Sequence, residues 1–185
     1  MPPFIAIMPA AGVTVRYDGE WAGLWEQFVV HDVLRWAAAR LPIRDDSASR
    51  TIGGDSAGGY GAVDIALRHP GLFGTAESWS GYFEPIADGP LHGASSAELR
   101  DHDPSLLVRQ ERRVLRRDGV RFFLSAGTRD RGVVRDTRVF AAELRRLGLR
   151  MHVVVRPGGH NGRFWRAQLP AALEFALAQR PGANE

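Results

Sequence analysis

Five residues constrain this chain more than any others: Gly54-Asp55-Ser56-Ala57-Gly58, set between a short apolar run and a helix-forming one. Thr51 and Ile52 lead into the string. Val63, Ile65, Ala66 and Leu67 follow it in a helical stretch that ends near Pro70. A G-x-S-x-G string between a strand and a helix implies a sharp, strained turn that stands the serine oxygen clear of a sheet. Glycines on either side let the strand and helix backbones approach without a clashing Cβ. The Ala57 N–H then points at whatever atom reacts with the serine. A phosphate-cradling loop is also glycine-rich, but it calls for G-K-[ST], and this chain has no lysine. With 21 glycines in 185 residues the string is weak evidence alone. Its partners decide the reading.

A serine turn of this kind predicts an acid and then a histidine, in that chain order, each just after a later strand. The apolar run Val120–Leu124 is followed by Gly127-Thr128-Arg129-Asp130, and the run Met151–Val155 by Pro157-Gly158-Gly159-His160. An imidazole is needed because a free hydroxyl is a weak nucleophile until its proton is taken. A carboxylate fixes the imidazole tautomer and stabilises the imidazolium that forms. The expected catalytic residues are therefore Ser56, Asp130 and His160, with the Ala57 N–H as oxyanion donor and Asp136 as a competitor for the acid position. Trp79 and Tyr82 lie just after the third predicted strand, at the end of the sheet where such a site sits. They are candidates for lining an acyl or alcohol pocket, and plain packing accounts for them equally well.

The wider pattern fits this chemistry. Predicted strands at Phe4–Met8, Thr51–Ile52, Thr75–Trp79, Val120–Leu124 and Met151–Val155 alternate with helical stretches. Those stretches are Trp25–Leu41, the segment after Ser56, Arg109–Arg117, Val134–Leu147 and Phe164–Ala178. Such alternation predicts an α/β fold: one domain over residues 1–185, a parallel sheet of about five strands, helices on both faces. Residues 81–108 show no period and read as a long functional loop.

The string Gly53-Gly54-Asp55-Ser56-Ala57-Gly58-Gly59-Tyr60-Gly61-Ala62, then Arg68-His69-Pro70-Gly71-Leu72-Phe73, then Ser80-Gly81, resembles the putative-esterase family of α/β-hydrolases. That family includes esterase D, feruloyl esterases and mycolyltransferases. Gly127–Asp130 is similar to its acid loop, and Pro157–Asn161 with Phe164-Trp165 to its histidine loop. The resemblance implies an α/β-hydrolase fold, with Ser56, Asp130 and His160 as nucleophile, acid and base. Two local departures are Ala57 where the family has a bulky residue and Gly162 where it often has an aromatic one. A larger departure lies at the N-terminal side. Family members carry further strands before the one Phe4–Met8 resembles, and a loop after one of them gives a second oxyanion N–H. Losing one such donor costs about 100- to 1000-fold in turnover. Two readings stay open: an N-terminally reduced piece of a longer hydrolase, or a first strand moved beside the elbow strand so that Ala10–Gly12 supplies the donor.

The implied function is a serine esterase acting on a small-molecule ester through an acyl-serine, without metal or organic cofactor. The alternatives are an acyltransferase that moves the acyl group to an alcohol or sugar, and a truncated or non-catalytic hydrolase-like domain. Composition excludes other classes. There is no cysteine, so disulfides and thiolate chemistry are absent. All 24 basic residues are arginine, against 21 acidic ones, for a net charge of +3. The run Arg109, Arg112, Arg113, Arg116, Arg117 and Arg121 is offset by Glu111 and Asp118 and has no interleaved aromatics, which argues against nucleic acid. The six histidines lack metal-ligand spacing, and His92 and His102 read as solvated loop residues. No apolar run is long enough for a membrane span, and no basic segment marks a signal peptide, so cytoplasmic is the default expectation. Nothing indicates the oligomeric state.

Overall fold

Parallel strands cannot be joined by a tight turn, so each connection must cross a sheet face, usually as a helix. The computed structural model describes residues 2–9 and 21–178. Strands β1 (Thr51–Asp55), β2 (Thr75–Trp79), β3 (Arg121–Gly127) and β4 (Arg150–Arg156) form a fully parallel sheet in the order β1-β2-β3-β4. Helices α1 (Leu24–Gln27) and α2 (Leu34–Arg40), joined through π-helical turns over Phe28–Val33, precede β1. Helix α3 (Ala57–Arg68) links β1 to β2. Helices α4 (Ser96–Asp101), α5 (Pro104–Gln110) and α6 (Arg112–Arg117) link β2 to β3, α7 (Arg131–Arg146) links β3 to β4, and α8 (Gly162–Leu177) follows β4.

Side-chain alternation sorts the helices onto two faces. Ile52, Ala76, Phe122, Leu124, Met151 and Val153 pack with Val63 and Leu67 of α3 and with Phe140 and Leu144 of α7. The opposite face presents Phe123 and His152, whose rings lie 5.8 and 6.1 Å from that of Phe175 on α8. β3 is buried along its whole length, including Arg121. That guanidinium donates to Thr75 Oγ1 and to the carbonyls of Ala176 and Ala178, closing the C-terminal end of α8.

The parallel sheet with helices on both faces is as expected, but among the described residues it has four strands rather than about five. Phe4–Met8 forms no strand. Phe4, Ile5, Ile7 and Met8 are 46, 46, 39 and 88% exposed. An apolar extended run becomes a strand only where a neighbour pairs its backbone groups, and here none of the described residues does. Among the described residues β1 therefore has one open edge. The Ser56 N–H and the Arg50 carbonyl both bond toward β2, so alternation turns the backbone groups of Thr51, Gly53 and Asp55 to that edge. Ala10–Gly12 and the expected tail Pro181–Glu185 lie outside the described residues.

Residues 81–108 are more ordered than their lack of period implies. Ser95 and Glu98 form a capping box on α4, and Asp103 caps α5, which opens on Pro104. Six- and seven-residue helices are too short to show a period. The expected basic helix Arg109–Arg117 is broken at Glu111 between α5 and α6. His102 is not solvated. It is 9% exposed, and its Nδ1 lies 2.8 Å from Asp64 Oδ2 of α3. Tyr60 of the same helix donates its phenol to the His102 carbonyl, so this segment is latched to the helix that follows Ser56. Among the described residues no helix is long and apolar enough to cross a membrane.

One buried group sets a pH dependence. Glu77 on β2 is 3% exposed, and its Oε2 accepts from Trp79 Nε1 at 3.2 Å. Burial pushes its carboxyl up to about 8, against the opposing pull of Trp79 and Arg121. Folding therefore binds a proton at Glu77 between the ordinary carboxylate range and about 8. The stability this proton supplies is fully present below pH ~4.5 and is lost as pH rises to about 8. Glu77→Gln, which mimics the neutral acid, should flatten that fall. Melting curves at pH 5 and pH 8 should show the variant gaining about 5–10 °C on the parent between the two. An equal offset at both pH values would rule out a neutral Glu77.

Candidate active site

The site begins at the β1–α3 junction. Ser56 has φ 55° and ψ −125°, a conformation costing a non-glycine residue about 1–3 kcal/mol. Backbone bonds on both sides hold it there. Its N–H donates to the Trp79 carbonyl at 2.9 Å, and its carbonyl accepts from Gly59 and Tyr60, the first turn of α3. Close approach requires two of the neighbouring glycines. A Cβ on Gly54 would meet the Gly58 carbonyl oxygen at 2.5 Å, and one on Gly59 would meet the Gly54 oxygen at 3.0 Å. Gly58 itself is different: the nearest described atom to its Cβ position is Trp21 Nε1 at 4.0 Å. Ala57 is the first residue of α3, so its amide is among the leading N–H groups that a helix leaves without an intrahelical partner. The positive end of the helix dipole adds to its pull on an anion at Ser56.

The acid and histidine loops reach the same place because they touch. A Cβ on Gly127 would lie 2.6 Å from the Gly158 carbonyl carbon, and Arg129 N–H donates to the Gly158 carbonyl at 2.8 Å. Asp130 then opens α7 as its N-cap, and Asn161 caps α8. His160 lies between them. Its Nε2 is 2.8 Å from Ser56 Oγ, and its Nδ1 is 2.7 Å from Asp130 Oδ2. The structure thus brings Ser56, His160 and Asp130 into one hydrogen-bonded line, 104 and 30 residues apart in the chain. Asp136, the competing acid, lies six residues further along α7 and lines a cavity that none of these three residues lines.

The two aromatic candidates are placed differently. Trp79 is paired in register with Asp55, and its carbonyl holds Ser56. Its half-buried side chain turns to Glu77. Tyr82 stacks on Tyr60 at 5.0 Å and lines a cavity of about 260 Å³ with Phe83, Glu84, Pro85, Ile86, Ser105 and Asp136. Ser56, Asp130 and His160 do not line that cavity.

Two residues of the strings quoted for the family resemblance, Trp165 and Ser80, meet at the site, a contact that the sequence does not announce. Trp165, in the first turn of α8, sets its ring 5.2 Å from that of His160 at 83°. Its Nε1 donates to Ser80 Oγ at 3.2 Å, and Ser80 has φ 58°. Spacing ties Trp165 to the histidine loop, but only the folded chain brings Ser80 beside it.

The chain is similar in sequence and in fold to several known proteins. A family model described as "Putative esterase" matches residues 4–176. Esterase Rv1288 of Mycobacterium tuberculosis is 31% identical over 84 residues, 43% of this chain and 18% of that protein. The iron(III) enterobactin esterase of Escherichia coli is 27% identical over 146 residues, 78% of this chain and 34% of that protein. Among solved structures, the fluorophosphonate-binding serine hydrolase F of Staphylococcus aureus has the same fold. Its TM-score is 0.71 at 20% identity, over 84% of this chain and 64% of that one. The chain spans less than two thirds of each of these relatives.

The glycine geometry gives a sharp test of the turn. Gly54→Ala should cost several kcal/mol, because it drives a Cβ into backbone that cannot yield. Gly58→Ala, inside a helix and with Trp21 Nε1 at 4.0 Å the nearest described atom to its new Cβ, should be neutral or stabilising by up to ~1 kcal/mol. Thermal melts of the two variants should diverge by 10 °C or more, by rough conversion. Equal melting temperatures would mean that the β1–α3 approach is not as tight as described.

Proposed function

The chain belongs to the putative esterase family, and from that premise we propose that it is a serine hydrolase cleaving carboxylic esters at Ser56. One observation carries the reading: Ser56 Oγ, His160 Nε2, His160 Nδ1 and Asp130 Oδ2 are joined by contacts of 2.8 and 2.7 Å. In this reading Ser56 Oγ attacks the ester carbonyl carbon while His160 Nε2 takes its proton. Asp130 holds the Nδ1 proton and stabilises the imidazolium. The oxyanion accepts a hydrogen bond from the Ala57 N–H at the head of α3. As the tetrahedral species collapses, the C–O bond to the alcohol breaks and the alcohol leaves with the Nε2 proton. Water then attacks the acyl-serine and gives a proton to Nε2; as the second tetrahedral species collapses, the bond from the acyl carbon to Oγ breaks and Nε2 returns that proton to Ser56 Oγ, releasing the acid.

The exposure of the line supports this use. The His160 side chain is 39% exposed and that of Asp130 22%, so an ester can reach the imidazole and the serine while the carboxylate stays mostly sheltered. Ser56 stands in a strained conformation with its oxygen on the histidine, an arrangement that packing alone has no need of.

A fluorophosphonate probe tests the reading without a choice of substrate. The parent chain should label stoichiometrically. Ser56→Ala should not label, and His160→Ala should label at least about 10³-fold more slowly. A folded parent that does not label, or a Ser56→Ala variant that does, would end the proposal.

A further inference from the structure

His160 is fixed at its two ring nitrogens, by Asp130 at one and Ser56 at the other. Bonds at the two ends of a ring leave it free to tilt about the line joining them. A side chain 39% exposed gains little restraint from general packing. Among the described residues one aromatic ring adds restraint. The indole of Trp165 meets the imidazole edge to face, with ring centres 5.2 Å apart. The indole is tied in turn. Its Nε1–H donates to the hydroxyl of Ser80, which is fully buried and lies immediately after β2. The Ser80 N–H donates to the Ser125 carbonyl of β3 at 2.7 Å, and its φ of 58° is one that a serine adopts only where its surroundings impose it.

We propose that Trp165 is a positioning residue for His160, and that Ser80 is the tether holding the indole against the imidazole. This rests on the reading of Ser56 as nucleophile only for its catalytic consequence. The end of β2 then serves as a common reference for both reacting groups. The Trp79 carbonyl holds the Ser56 backbone, and the next residue, through its hydroxyl and Trp165, holds the base.

The test uses the full chain with Trp165→Phe, Ser80→Ala and the double variant. Trp165→Phe keeps a ring and removes the N–H donor. Ser80→Ala removes the acceptor, and Ser80→Gly does the same while relieving the positive φ, so a folding defect in one is checked by the other. The first readout is the downfield proton NMR signal of the His160 Nδ1–H held by Asp130, which needs no turnover. The second is the rate constant of fluorophosphonate labelling. The signal should be sharp in the parent and broadened in each single variant. Labelling should slow about 3- to 10-fold in each, the scale of one hydrogen bond. The double variant should be no slower than the slower single, because both changes break one link. Unchanged signals and rates in both singles, or losses that multiply in the double, would overturn the tether. If the parent fails to label while its downfield signal still responds to Trp165→Phe, the positioning stands and the nucleophile reading falls. If the parent labels and neither variant differs from it, the positioning alone falls.

Discussion

The arrangement depends on one close approach of backbone to backbone, where β1 turns into α3. Gly54 and Gly59 let the strand end and the first helical turn come nearer than any Cβ allows. The turn in between forces Ser56 to a positive φ. Three backbone bonds, one to Trp79 and two from the head of α3, over-determine that conformation. The strain is local, and its benefit is directional: the hydroxyl leaves the sheet surface and the leading amides of a 12-residue helix face it. Every other site residue is located relative to that point.

Parallel topology supplies the rest. With all four strands running the same way, their C-terminal ends share one rim. Ser56 follows β1, Ser80 follows β2, Asp130 follows β3 and His160 follows β4. Groups far apart in the chain thus meet without a long excursion of any loop. A second pair of glycines, Gly127 and Gly158, lets the last two of these loops touch. Asp130 and His160 therefore keep their spacing even though both lie near the surface.

Much of this could be read from the residues. Thr75–Trp79 matches β2 at both ends, because glycine and proline before it and Ser80-Gly81 after it punctuate a short run. Ser56, Asp130 and His160 were legible because each follows a strand in the required order. What escaped reading depends on partners. Phe4–Met8 has the composition of a strand, but composition cannot supply a ladder neighbour. His102 sits among aspartates in a polar stretch, and only α3 brings Asp64 to it. Glu77 lies between Ala76 and Ser78 in a run whose residue types do not say which side of the sheet is covered, yet it is buried. Trp165 and Ser80 are 85 residues apart, and no pattern in either neighbourhood announces the other.

The open edge of β1 bears on how this molecule would age under stress. Among the described residues β1, which leads to Ser56, is bonded to a neighbour on one side only, as is β4 at the far edge, whereas β3, which leads to Asp130, is bonded on both and wholly buried. Segments with solvent-facing backbone open at lower free energy than the core does. Ser56 and His160 therefore both follow edge strands of the sheet, whereas Asp130 follows a central, wholly buried one. On gentle heating the line from Ser56 to His160 would loosen from the two edges of the sheet while its centre remained intact, so that the site's geometry would be lost sooner than the fold.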